Sequence, residues 1–331
     1  MLGGEATSLD PEAGEDSPSG ASLRGSHRLA AVETCERMWA LRYYWYFRGN
    51  KDNEWRLGGS LIHTCYQYYY ASLLPVKPPW YFEKTLQERL AEQSLAMPEP
   101  KRSELVKMAL TNLHYYMQVY STDREILRPL HIEEEFAATL GELDPGGPWP
   151  ELDNDLVTCR PDLVYEIGPW IWILDYKSHG RSRVNPKTGR LTRWKEDGEY
   201  AINWQVLINL LILRKRLGPR VRGFVIQRTT RQEPYDFDRT PLTIPQIPYE
   251  EAARTARELV RHEYQVMSKI EQGERPSARY HACYGRFGPC DYRYACLSPD
   301  RETMQKRLNS EYNRANDAEV TRLKSRLRVV Q

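Results

Sequence analysis

Residues 160–178 read RPDLVYEIGPWIWILDYKS, and this stretch decides the fold. Two runs rich in Val, Ile, Leu, Tyr and Trp flank Gly168-Pro169, the composition of two strands joined by a tight turn. With those two residues at the tip, Ile167 faces Trp170 and the pairing steps outward until Asp162 lies across from Asp175. Directly opposed Cβ atoms sit roughly 4.5–5.5 Å apart. Side chains alternate between faces, so Lys177 shares a face with Asp175. Glycine at the first tip position suits a primed turn, although proline is not the favoured residue at the second.

Charged groups are costly in a strand of this composition unless something pairs with them. Two facing carboxylates repel unless a proton or a cation lies between them. Hard oxygen donors suit Mg²⁺ or Mn²⁺. A lysine beside such an ion can hold a water or stabilise charge on a phosphate. The same spacing also admits a structural ion pair, in which Asp162 or Asp175 partners Lys177 or Arg160.

Working outward, the 331 residues suffice for one large domain or two modest ones. Hydrophobic residues make up 40% and charged residues 28%, which describes a globular chain. The net charge of +2 does not announce a nucleic-acid binder, so any electrostatic footprint must come from local clusters. No apolar run reaches ~18 residues, which argues against a membrane span. The opening MLGGEATSLDPEAGEDSPSG lacks a basic start and an apolar stretch, so it does not read as a secretory signal. An intracellular protein is expected, and its six cysteines are then not a disulfide set.

Residues 1–25, rich in Gly, Ser, Pro, Ala and acids, read as a disordered tail. Residues 26–299 read as one domain, and residues 300–331 as a charged helical tail. Within the domain, an aromatic helical segment runs from His27 to about Leu74. Helices are expected over 80–96, 101–123, 196–217 and 249–272. Strands are expected from Ile132 and over 220–229. This order points to an α/β core with a helical N-terminal flank.

Pro161-Asp162 followed by Asp175-Tyr176-Lys177 resembles the signature of the PD-(D/E)XK nucleases. ILDYKS is similar to their RecB-like branch, which includes CRISPR-associated and AddB-type nucleases. Three other features match in order. In LGGSLIHTC, Gly59 precedes His63 by four, and the branch uses that histidine as a metal ligand; without the resemblance, His63 reads as an ordinary helix histidine. Gln205 matches a family glutamine, which implies a residue that touches the nucleic acid or positions the lysine, although Asn209 stands where a tyrosine usually follows; without the resemblance, Gln205 reads as an ordinary polar helix position. Cys35, with Cys283, Cys290 and Cys296, resembles the branch's one-plus-three iron–sulfur staple, in which four thiolates hold a [4Fe–4S] cluster. Four thiolates would also take Zn²⁺. Cys65 and Cys159 read as buried thiols. The acidic run Glu133-Glu134-Glu135 sits where the family often carries a glutamate, either in a supporting role or as a solvated edge.

The resemblance implies a restriction-endonuclease-like core, a mixed β-sheet flanked by helices. It also implies a divalent-metal-dependent deoxyribonuclease. Asp162, Asp175, His63 and the backbone carbonyl of Tyr176 would hold Mg²⁺ or Mn²⁺, and Asp162, Asp175 and Lys177 would serve catalysis. The expected substrate is DNA, single-stranded or with a free end, handled in the cytoplasm of a bacterial or phage-infected cell. The stretch 178–195 leaves directly from the DYK strand and carries four arginines and two lysines between 181 and 195. Arg181, Arg183, Lys187 and Arg190 could therefore track a phosphate backbone; a solvated loop is the alternative. Other classes stay open: a CRISPR adaptation nuclease with a partner integrase, or a weakly active DNA-binding subunit of a recombination complex.

Overall fold

The computed structural model of the chain describes residues 24–49, 54–180, 183–184, 191–192, 200–285, 288–314 and 321. The hairpin forms in the expected register, from Leu163 opposite Leu174 to Ile167 opposite Trp170. Gly168 has φ +56°. A positive φ there is the mark of a primed turn, and the fixed negative φ of Pro169 selects the II′ pattern. Proline at the second tip position is thus compatible with the turn.

The central sheet has five strands: β1 (Arg128–Ile132), β2 (Leu163–Ile167), β3 (Trp170–His179), β4 (Val221–Thr230) and β5 (Phe237–Pro241). Their spatial order is β5-β4-β3-β2-β1. β3 and β4 run parallel, and every other neighbouring pair is antiparallel. A parallel pair needs a crossover, and the helix Trp204–Leu217 supplies it. Helices pack on both faces of the sheet, giving the mixed α/β architecture the sequence implied. The principal helices are α1 (Ser26–Thr34), α2 (Glu54–Ala71), α3 (Lys101–Val119), α4 (Trp204–Leu217), α5 (Gln246–Glu271) and α6 (Arg301–Glu311).

The two-residue alternation of β3 sorts its side chains between two cores. Ile171 and Ile173 join Phe224, Ile226 and the buried face of α4, with α1 and α5 behind. Leu174 and Tyr176 face the other way, against Ile62, Tyr66 and Tyr70 of α2 and Tyr116 of α3. A third cluster joins Leu41 and Phe47 to Tyr292, Cys296, Leu308 and Tyr312, tying the N-terminal flank to the C-terminal segment. Tyr43, Tyr44 and Trp45 also pack against the core, so this aromatic run is largely structural. Among the described residues no helix is long and apolar enough to cross a membrane.

Several boundaries differ from expectation for local reasons. The expected helix 80–96 is two, Trp80–Glu83 and Leu86–Gln93, because Thr85 and Glu88 form a capping box that starts the second. The expected strand from Ile132 breaks at Glu133, whose φ is +51°. Residues 136–139 instead pair with 156–159 in a separate ribbon. Arg24, within the stretch expected to be disordered, is buried and paired with Asp155 and Glu263. Residues 1–23 and 322–331 lie outside the described residues. The start of the C-terminal tail is helical as expected, then adds a strand, 312–314, paired with 47–49.

Candidate active site and metal centre

The helix α2 meets β3 at close range because Gly59 has no side chain. A Cβ on Gly59 would lie 2.7 Å from Ser178 Oγ. One turn later His63 reaches the ends of β2 and β3, which explains the four-residue spacing from glycine to histidine. His63 Nδ1 lies 3.8 Å from Asp162 Oδ1. Asp162 itself sits one residue past the last ladder pair of the hairpin, and its Oδ2 accepts the Tyr176 N–H at 2.5 Å. Tyr176 turns its ring into the core, edge-on to His63 at 5.5 Å. Any ligand role for Tyr176 therefore belongs to its backbone carbonyl.

Glu133 completes this half of the site. His63, Glu133 and Asp162 each offer one donor atom, and these atoms lie within 4.8 Å of one another. Gln67, one turn after His63, donates from Nε2 to Glu133 Oε1 at 2.8 Å. The Glu133 N–H donates to the Asp162 carbonyl at 3.3 Å.

Asp175 heads the other half and is 2% exposed. Lys177 Nζ lies 2.5 Å from Asp175 Oδ2. Gln205 joins both: its Nε2 donates to Asp175 Oδ1 at 2.6 Å, and its Oε1 accepts from Lys177 Nζ at 3.1 Å. The amide is placed by the start of α4, where Asn203 Oδ1 accepts the Gln205 N–H at 2.8 Å.

The electrostatics follow from burial and like charge. Burial, and then Asp162, hold the Glu133 carboxyl well above the usual carboxylate range. Burial raises Asp162 too, against the pull of Lys177. Burial raises Asp175, again opposed by Lys177. For Lys177, burial favours the neutral amine, but Asp175 and Asp162 outweigh it and hold the ammonium. Burial and the nearby Lys177 push the His63 imidazole down to about 4, leaving it neutral and free to donate a lone pair near pH 7.

The structure thus gathers His63, Asp162, Asp175, Lys177 and Gln205 near the end of β2 and β3, inside the sheet rather than at its edge. Glu133 enters as a potential ligand, whereas sequence offered it only a supporting place or a solvated edge. Gln67 was not singled out at all; its signal is a His-x3-Gln spacing that puts two polar side chains on one helix face. Arg183 lies in a two-residue strand, 183–184, paired with 191–192. Arg181, Lys187 and Arg190 lie outside the described residues.

Cys35, Cys283, Cys290 and Cys296, the second set that the sequence singled out, are all free thiols. Cys35 lies between α1 and the short helix that follows, and the Cys283 carbonyl accepts the Cys290 N–H at 2.9 Å. Burial raises the Cys283, Cys290 and Cys296 thiols, Cys296 to about 11. Each of these three is raised further by Cys35, and Cys290 and Cys296 by other thiols of the set as well. Cys65 and Cys159 are buried apart from them, as expected.

Residues 26–297 match the PD-(D/E)XK nuclease superfamily. The chain belongs to that superfamily. No curated protein matches it. Among solved structures it is similar to a crystal structure of a Eubacterium rectale protein provisionally named an exonuclease, at 11% identity and a TM-score of 0.48. That likeness covers 84% of this chain and 90% of the other. The protein is a hydrolytic nuclease by family.

Proposed function

We propose that this PD-(D/E)XK nuclease hydrolyses phosphodiester bonds of DNA with Mg²⁺ or Mn²⁺, acting as an exonuclease on single strands or free ends. The observation that carries the reading is the convergence of His63, Glu133 and Asp162 within 4.8 Å, beside the Lys177–Asp175–Gln205 bridge. The donor set fits a hard or borderline divalent cation: two carboxylates and a neutral imidazole. The raised carboxyl groups of Glu133 and Asp162 also fit, because acidic groups crowd a buried space, with Arg160 and Lys177 only partly countering them.

His63, Glu133 and Asp162 would hold the ion, with Asp175 and the Tyr176 carbonyl alongside. When bound, the ion would neutralise charge on the scissile phosphate and acidify an attacking water. Lys177 would hold that water by a hydrogen bond, or donate to a phosphate oxygen as negative charge develops. Its ammonium is a compact donor, and Asp175 and Gln205 fix its direction. Asp175 also keeps Lys177 charged, so the donor is ready before substrate arrives. The basic stretch 178–195 leads away from the same strand and would carry the DNA backbone.

The four thiols would hold a [4Fe–4S] cluster, with Zn²⁺ as the other chemical possibility for such a set. Cys35 and Cys283 are about 250 positions apart, so joining them closes a long loop, worth about 5 kcal/mol of unfolded-state entropy. The role is mechanical: it clamps the helical flank to the C-terminal segment, where Leu41, Phe47 and Tyr312 already pack together. We place the protein in the cytoplasm, in DNA recombination, repair or phage DNA processing.

One assay tests the enzyme reading. End-labelled linear and circular DNA, single- and double-stranded, is incubated with purified protein and Mg²⁺ or Mn²⁺. Metal-dependent loss of linear single strands with circles spared is expected. Full cleavage by both Asp162→Asn and Lys177→Ala would remove the assignment. The cluster predicts a brown protein absorbing near ~400 nm; a colourless anaerobic preparation containing zinc would overturn iron–sulfur in favour of zinc.

A further inference from the structure

We infer that Gln67 is a positioning residue for the metal centre: its amide aims the Glu133 carboxylate at the space shared with His63 and Asp162. This rests on reading that space as a divalent-ion site.

Three observations converge on it. First, Gln67 and His63 lie four residues apart on α2, so one face of one helix presents both. The helix is anchored just upstream by the close approach of Gly59 to Ser178, which places both residues against the strand ends.

Second, Gln67 Nε2 donates to Glu133 Oε1 at 2.8 Å. That bond occupies one carboxylate oxygen and leaves the other for the donor triad. A glutamine serves this purpose better than a lysine or arginine would. It donates a hydrogen bond without adding a positive charge that would compete with the cation.

Third, the backbone of Glu133 stands at φ +51°, a conformation residues with a side chain seldom adopt. It occurs where β1 ends and the chain turns towards the 136–139 strand. The Glu133 N–H is held there by the Asp162 carbonyl. The left-handed residue thus redirects the Glu133 side chain away from the line of β1. Gln67 then fixes its last torsions. A long, flexible side chain is pinned at both ends, against a second acidic group, Asp162, with which it shares a hydrogen bond. A solvated edge glutamate needs neither constraint.

Ligand-orienting partners of this kind typically contribute about 10- to 100-fold in metal affinity. The test is Mn²⁺ binding without DNA, followed by electron paramagnetic resonance or calorimetry, for four proteins: wild type, Gln67→Leu, Glu133→Gln and the double variant. Gln67→Leu should weaken binding by about 10- to 100-fold while the melting temperature of the metal-free protein stays close to wild type. Glu133→Gln should weaken it at least as much. The double variant should bind no worse than Glu133→Gln alone, because Gln67 acts through Glu133. Gln67→Met, with a similar shape and no amide, replaces Gln67→Leu if that variant folds poorly.

Mn²⁺ affinity within twofold of wild type in Gln67→Leu or Gln67→Met would overturn the inference. So would a double variant weakened by the product of the two single effects. Failure of the nuclease reading appears separately, as absence of DNA cleavage by the wild-type protein.

Discussion

Asp175 lies within β3 and Asp162 one residue before β2, near the same end of one hairpin, yet they keep different company. Asp162 belongs to a crowd of donors, with His63 and Glu133 within 4.8 Å. Asp175 is countered at once by Lys177 at 2.5 Å and by the Gln205 amide at 2.6 Å. The first half of the site crowds two carboxyl groups, Glu133 held well above its usual range, beside a neutral imidazole. In the second half, Asp175 is paired with a cation. Crowded carboxyls in a buried space can exchange a proton for a metal ion, whereas an ion pair holds a donor in place. The two aspartates would thus do different work, Asp162 in holding metal and Asp175 in holding Lys177.

The largest effects separate the halves. Asp162→Asn should abolish both Mn²⁺ binding and cleavage. Lys177→Ala should lower kcat by about 10²–10³-fold, the usual loss for one transition-state donor, while Mn²⁺ affinity changes little. Equal loss of Mn²⁺ binding in the two variants would collapse the distinction. It is read by titrating the ion without DNA and by single-turnover cleavage with it.

Gln205→Leu sharpens the second half. It removes one hydrogen bond to Asp175 and one from Lys177, both charge-assisted. Cleavage should slow by roughly 10- to 100-fold with Mn²⁺ affinity retained. A rise in KM for DNA with kcat intact would instead assign Gln205 to the nucleic acid.

The smallest effect tests the frame that sets both halves. Gly59→Ala puts a methyl group against Ser178 Oγ and should cost about 1 kcal/mol by overpacking, read as a lowered melting temperature. Adding Ser178→Ala should return most of it. If Gly59→Ala alone leaves stability and activity untouched, close helix–strand approach is not what positions His63.

Sequence made the hairpin legible because its pairing is local. Five residues on each side of a Gly-Pro tip fix every partner, and the observed ladder from Leu163–Leu174 to Ile167–Trp170 follows from the turn alone. The alternation of β3 likewise fixed which side chains share a face with Asp175. The crossover helix was legible too, from its apolar run and the Gly218-Pro219 stop. The breaks at Lys84–Thr85 and at Glu133 were not. The first rests on a capping box within an otherwise helical pattern, and the second on a left-handed residue that no composition announces.

By itself, then, the sequence determined the hairpin register from Leu163–Leu174 to Ile167–Trp170, the placement of Lys177 and the spacing from Gly59 to His63, since each depends on residues a few positions apart and on the periods of strand and helix. Only the tertiary structure decided that Glu133 joins the donors, that Gln67 holds it, and that Gln205 bridges Asp175 and Lys177. Those contacts join segments 28 to 66 residues apart. No short-range period encodes them; they arise when helices are pressed onto the two faces of one sheet.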